Sequence, residues 1–181
     1  MKTFRYLNFL LFIISIFLFT FTSSCPAVAS KATFSTNWIE PIKGKITDTF
    51  GTRGGKHKGL DIAAPKGESI VAAADGRVSK SYVSASYGQV IFIRHSNGYE
   101  TVYAHLSKRF VIEKDLVKKG DSIGIIGNTG VSTGTHLHFE VHHGAWTENK
   151  QNAINPLEVI HEQAFQPNSV HVYKGSASIN R

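Results

Sequence analysis

Three short stretches of this chain carry side chains able to do chemistry together. In His136-Leu137-His138, the apolar Leu137, Phe139 and Val141 alternate with His136, His138 and Glu140. Strand residues two apart share a face, so the apolar set can enter a core while both imidazoles point into one cleft. In His57-Lys58-Gly59-Leu60-Asp61, an imidazole and a carboxylate stand four residues apart, and the glycine-rich Gly51-Thr52-Arg53-Gly54-Gly55 before them lets the chain turn sharply. Two imidazoles and one carboxylate suit Zn²⁺ and leave a coordination position open, the arrangement of a catalytic rather than a structural zinc. His57, Asp61 and His138 would make that set. The third stretch is Tyr103-Ala104-His105-Leu106, where period two puts Val102, Ala104 and Leu106 on one face and Tyr103 and His105 on the other. Singly, each pattern has an ordinary structural explanation: strand alternation is routine, and an acid near a histidine is commonly a surface pair of small energetic consequence. Three such elements in one chain point to a site.

The elements that must position these residues read as strands. Val90-Ile91-Phe92-Ile93-Arg94-His95 and Tyr99 to Leu106 are β-branched and aromatic runs around Ser96-Asn97-Gly98, and Asn-Gly supplies the positive φ angles of a tight hairpin turn. Further strands are expected at Ile70 to Ala73, Gly76 to Tyr82, Ser122 to Ile126 and His136 to His142, each bounded by turn formers. Lys66-Gly67-Glu68-Ser69-Ile70 and Lys119-Gly120-Asp121-Ser122-Ile123 share their spacing, which fits either a duplicated turn-plus-strand unit or two independent good turns. No segment outside the N-terminal stretch shows helical periodicity. The expected fold is all-β: a single compact domain of short antiparallel strands over residues 38–160, of a duplicated, barrel-sandwich-like kind.

The flanks differ in composition from this body. Lys2 and Arg5 precede an apolar run, Leu7 to Phe21, and Ala27-Val28-Ala29 fits a cleavage signal, so residues 1–29 read as a helical signal peptide and 30–37 as a connector. The run is shorter than the roughly 20 residues a bilayer span takes, so stable membrane insertion after processing is not expected. The single cysteine, Cys25, precedes the cut, leaving a mature chain without disulfides; Thr22-Ser23-Ser24-Cys25 is a poor lipoprotein signal, and lipidation is the minor alternative. Losing Lys2 and Arg5 takes the formal charge from +7 to +5. A basic exported protein concentrates near cell-wall polyanions, whereas scattered basic residues without a binding motif argue against nucleic acid. Residues 161–181 form a polar tail expected to be loosely ordered. His95, His142, His143, His161 and His171, the rest of nine histidines with the four above removed, default to a bland reading, exposed and outside the chemistry.

The order and spacing of His57-x-x-x-Asp61, Tyr103-Ala104-His105-Leu106 and His136-x-His138 resemble the lysostaphin-type, or LytM-domain, zinc endopeptidases that hydrolyse peptidoglycan. Pro41 to Ile46, Phe50-Gly51-Thr52-Arg53, Gly59 to Pro65, Gly127-Asn128-Thr129-Gly130 and Asn155-Pro156-Leu157 are similar to family segments as well, so the resemblance covers about residues 38–160. It implies one zinc per chain bound by His57, Asp61 and His138, with His105 and His136 serving catalysis as proton acceptor and donor in an order left open. It implies action on peptidoglycan, in the periplasm or cell wall for an exported chain; the simple body without an added wall-targeting domain favours D-alanyl-diaminopimelate cross-links over oligoglycine bridges, and the oligomeric state is open, with a monomer expected. All five residues are present, unlike in relatives that regulate other wall hydrolases and typically lose metal ligands; a non-catalytic wall-binding or amidase-activating module is the alternative. A carrier domain with a lipoyl-type lysine is disfavoured, since Met1 is the only methionine. A tyrosine that some members place ahead of the first ligand has no counterpart in Gly51 to Lys56, so no tyrosine is assigned.

Overall fold

The computed structural model describes residues 38–161. The signal-peptide reading with Cys25, the connector, and the tail after His161 with His171 lie outside the described residues. Within them, eleven strands follow one another: β1 (Lys45–Asp48), β2 (Leu60–Ala63), β3 (Ser69–Val71), β4 (Gly76–Ser84), β5 (Gly88–Arg94), β6 (Tyr99–Leu106), β7 (Lys108–Arg109), β8 (Leu116–Val117), β9 (Ser122–Ile125), β10 (His136–His143) and β11 (Ala153–Ile154). The large sheet runs β1-β2-β10-β6-β5-β4-β8 with β11 on β10, and a small sheet runs β3-β9-β7. Every strand pairing is antiparallel.

The large sheet has apolar side chains on both faces, which is why β5 reads as an unbroken run. Ile91 and Ile93 join Tyr103, Leu137, Phe139, Leu60 and Ile62 in the main core together with Ile70 and Ile123 of the small sheet, while Val90 and Phe92 join Val102, Ala104 and Tyr87 on the opposite face. Burying side chains of this size contributes about 1.5–3 kcal/mol each, so these two layers hold the sheet rigid beneath whatever it carries. The Tyr103 hydroxyl is satisfied inside the core by the Ala73 amide at 3.0 Å and Thr101 Oγ1 at 3.1 Å.

The repeated Lys-Gly-acid-Ser-Ile segments lead into paired strands. Gly67 and Gly120 take matching left-handed φ values of 97° and 88°, β3 lies antiparallel on β9, and Ser69 Oγ meets Ser122 Oγ at 2.5 Å. This pairing favours the duplicated-unit reading over two unrelated turns.

Two expectations need correction. At the β5–β6 turn only Gly98 is left-handed (φ 85°), and Asn97 is not, because the turn closes around the three residues 96–98 with His95 N bonded to Tyr99 O. The expectation of no helical periodicity in the body also meets a short helix: Pro156–His161 forms α1, in which Pro156 takes the first position and Asn155 Oδ1 accepts from Leu157 N at 3.2 Å. Six residues are too few to display a period, so the Asn-Pro start was its available signal.

Candidate metal centre and active-site cleft

The ligand candidates come from neighbouring strands in register. Asp61 of β2 lies directly across from His138 of β10, so both side chains leave the same sheet face. His57 arrives from the β1–β2 loop, whose turn is tightened by left-handed Gly51, Arg53, Gly54 and Gly55 and closed by Gly51 N bonded to His57 O at 2.8 Å. Gly59 lets this loop press on β10: a Cβ there would lie 2.7 Å from His138 Cε1 and 2.8 Å from Phe139 O.

His57 Nε2, Asp61 Oδ1 and His138 Nδ1 converge at 3.1, 3.2 and 2.7 Å from one another, and all three residues are buried. The outer nitrogens fix what the inner ones present. His57 Nδ1 donates to the Thr49 carbonyl at 2.7 Å, since a carbonyl can only accept, and this leaves Nε2 as a bare lone pair. His138 Nε2 faces Glu140 Oε1 at 2.9 Å and donates there, turning the Nδ1 lone pair inward. A proton among the three inner atoms could bridge one pair and would leave the third lone pair facing another acceptor. A cation serves all three: tetrahedral zinc donors at ~2.0–2.1 Å lie ~3.3 Å apart, close to the observed spacing. The cluster therefore fits a single zinc ion. Burial would raise the Asp61 pKa, but the His138 hydrogen bond and the surrounding histidines outweigh it and hold the carboxyl at about 2. Burial likewise would lower His138, and the Asp61 and Glu140 carboxylates outweigh it, so its pKa lies above the ordinary histidine value.

His136 and His105 stand beside this cluster. His136 Nε2 is 3.9 Å from Asp61 Oδ1, and its Nδ1 donates to the Gly134 carbonyl at 2.9 Å. The His105 ring lies 4.8 Å from that of His136 and 5.8 Å from that of His138, with Nδ1 donating to the Thr129 carbonyl at 2.8 Å. Burial lowers the His105 pKa, countered by that carbonyl. All five sequence-selected residues are thus gathered at one cleft of about 1000 Å³.

The route by which His105 gets there differs from simple alternation. Gln89 pairs with Leu106 and Ile91 with Tyr103, so β6 carries one extra residue, and His105 sits in that bulge at φ 62°. Tyr103 and Leu106 point into the main core, Ala104 to the opposite face, and the left-handed turn brings His105 to the His138 face instead of Tyr103's. The Gly127–Gly130 segment supports the bulge. Gly127 crosses so close that a Cβ would meet Ser107 N at 2.3 Å, and Thr129 Oγ1 donates to Leu106 O at 2.7 Å.

Several cleft residues were not singled out from sequence. Arg53, itself left-handed at φ 56°, donates to Asp61 Oδ2 at 2.9 Å and to Asp48 at 2.7 Å, leaving Oδ1 for the centre. Tyr87, Glu140 and Lys150 form a connected group behind His138. Burial would raise the Glu140 pKa, yet His138, His142 and Lys150 together hold it well below the carboxylate range. Burial and the neighbouring Glu140 charge push the Tyr87 hydroxyl far up. Glu140 was visible as the third polar residue on the β10 face. Tyr87 and Lys150 had no periodic signal. His95 and His142 are buried rather than exposed: His95 bonds Asp75 O and Thr101 Oγ1, and His142 bonds Glu140. His143 is exposed as expected.

An all-β scaffold with a buried His-Asp-His cation site at the floor of an open cleft defines a mononuclear zinc protein. The chain belongs to Peptidase family M23, whose sequence model matches residues 55–156, more than half of its length. It is 40% identical over 124 residues to the Murein hydrolase activator NlpD of Escherichia coli (strain K12), covering 68% of this chain and 31% of that one. It is 41% identical over 110 residues to the Peptidoglycan DD-endopeptidase ShyC of Vibrio cholerae, covering 61% of this chain and 24% of that one. Among solved structures, a zinc-containing peptidase from Vibrio cholerae superposes with a TM-score of 0.55 at 30% identity, covering 69% of this chain and 38% of that one. The chain spans about a quarter to a third of the length of these curated relatives. Among the described residues, no helix is long and apolar enough to cross a membrane.

Proposed function

We propose that this chain is an exported zinc endopeptidase that hydrolyses peptide cross-links of bacterial peptidoglycan, with His57, Asp61 and His138 as metal ligands and His105 and His136 as catalytic residues. The observation that carries this reading is the convergence of three inward lone pairs beside two imidazoles, each locked in one tautomer by a backbone carbonyl. Zinc held there supplies Lewis acidity toward a water and a scissile carbonyl. His105, kept neutral by burial with its proton on Nδ1, offers the Nε2 lone pair and accepts the water's proton. His136 turns Nε2 into the same space, from where a proton on that nitrogen would be donated in a hydrogen bond to the oxygen on which negative charge develops. The accepted proton then passes to the leaving amine.

The cleft's charge supports the D-alanyl-diaminopimelate bond as the target. Arg53 and Lys150 are balanced by Asp48, Asp61 and Glu140, which leaves Lys56 and Lys58 against Glu148 along the cleft, and a zinc ion adds positive charge. Such a field favours a cross-link bearing free carboxylates over a neutral oligoglycine bridge. Digestion of defined cross-linked muropeptides by the purified chain, with the fragments identified by mass spectrometry, tests both points. Cleavage at the diaminopimelate amine is expected; fragments from oligoglycine bridges alone would reassign the substrate. The likeness to NlpD favours a second reading, a wall-bound activator of other hydrolases. A protein that binds no zinc and digests no peptidoglycan would establish that alternative.

A further inference from the structure

Behind His138, on the side away from the cation site, a fully buried carboxylate gathers four donors. Glu140 Oε1 accepts from His138 Nε2 at 2.9 Å, the Tyr87 hydroxyl at 2.7 Å and Lys150 Nζ at 2.6 Å, and Oε2 accepts from His142 Nε2 at 2.7 Å. Its relative exposure is 0%. A buried carboxylate costs several kcal/mol of desolvation, which packing alone does not require, because an apolar side chain would fill the same space. The arrangement reaches for charge balance at further cost: Lys150 holds φ 52°, one of four left-handed non-glycine residues in the described chain. Three of those four, Arg53, His105 and Lys150, line the cleft, where stored backbone strain is associated with function.

The group is organised around one choice, which nitrogen of His138 carries the proton. Without an acceptor at Nε2 the imidazole could carry its proton on Nδ1, pointed at Asp61 Oδ1 2.7 Å away, and would then offer the centre no lone pair. We propose that Glu140, charge-balanced by Lys150 and oriented by Tyr87, is the positioning residue that holds His138 as the Nε2–H tautomer with Nδ1 presented to the cation. This rests on the zinc-site reading above. Tyr87 in turn is fixed by Trp146, whose Nε1 donates to its hydroxyl at 3.2 Å, so the strut reaches the cleft wall.

The test uses the full chain and reads zinc affinity by competition with a chromogenic chelator, alongside the long-range ¹⁵N NMR pattern of His138. Glu140→Gln is expected to weaken zinc binding about 10–100-fold, the range for losing such an outer partner, and to shift His138 toward a tautomer mixture in the zinc-stripped protein. Lys150→Met and Tyr87→Phe remove one donor each and are expected to weaken it about 3–10-fold, at the low end of that range or below it. A folded Glu140→Gln protein with affinity within about twofold of the parent and an unchanged His138 pattern overturns the proposal. Should Glu140→Gln not fold, unchanged affinity in both Lys150→Met and Tyr87→Phe overturns it equally. A parent chain that binds no zinc would instead remove the zinc-site reading, and the two failures are distinguishable because the first leaves the parent's affinity intact.

Discussion

Strands β10 and β6 both deliver histidines to the cleft, and they do so by opposite means. In β10 regular alternation is sufficient: His136, His138 and Glu140 share the polar face while Leu137, Phe139 and Val141 enter the core. In β6 alternation would send His105 to the face of Tyr103, and only an inserted residue at φ 62° turns it toward His138. The first device costs the backbone nothing and places residues that the pattern already specifies. The second stores strain and depends on outside support from Gly127 and Thr129. The proposed roles follow this division for three residues, with Asp61 and His138 ligating from the regular elements β2 and β10 and His105 accepting a proton at the strained one, whereas His57 ligates from the left-handed β1–β2 loop and His136 serves catalysis from β10.

The sharpest way to break this division is to remove the groups in turn. Replacing His57, Asp61 or His138 by alanine is expected to abolish zinc binding and peptidoglycan digestion together, measured as metal content and muropeptide release. Replacing His105 or His136 by alanine is expected to keep bound zinc and lower turnover by about 10²–10⁴, the span of a lost general acid or base. Full activity in either of these two would remove the catalytic assignment, and lost zinc in His105→Ala would erase the contrast between the strands.

A smaller effect comes from pH. His138 must be unprotonated at Nδ1 to bind a metal, and its pKa lies above the ordinary value because Asp61 and Glu140 outweigh burial. A raised pKa means protons compete from higher pH, so zinc affinity is expected to start falling above about pH 6.5 and to keep falling as the solution is acidified through about pH 6. Asp61, held at about 2, adds nothing to that loss. Chelator competition from pH 8 to pH 5 measures it, and affinity that stays flat to pH 5 would contradict histidine ligation.

These contrasts also mark how far the sequence could be read. The β5–β6 hairpin and β10 were legible because long β-branched runs and period-two alternation are signals of chain geometry itself, and the five site residues followed once the family segments were matched. The bulge at His105 leaves no trace, since one extra residue merely shifts the phase of a pattern whose apolar positions, Ala104 and Leu106, look continuous. Glu140 shows the converse limit. Its alternation marked the right face and put His142 beside it, but a carboxylate on that face reads as solvent-exposed until Lys150 and Tyr87, distant in sequence or off the period, are seen to enclose it. Strands of two residues, such as β7, β8 and β11, carry no period to detect.

The finest test asks whether the strain is real, and it uses paired substitutions so that the lost imidazole cancels. At His138, within a regular strand, glycine is expected to be less stable than alanine by about 0.5–1 kcal/mol, because it gives up more backbone entropy. At His105 the order should reverse, with His105→Gly more stable than His105→Ala by about 1 kcal/mol, because a left-handed conformation penalises any Cβ. The melting-temperature difference in each pair is then a few degrees, of opposite sign at the two positions, at roughly 2–4 °C per kcal/mol. If alanine proved better than glycine at both, β6 would be reaching the cleft without strain, and the two strands would differ only in register.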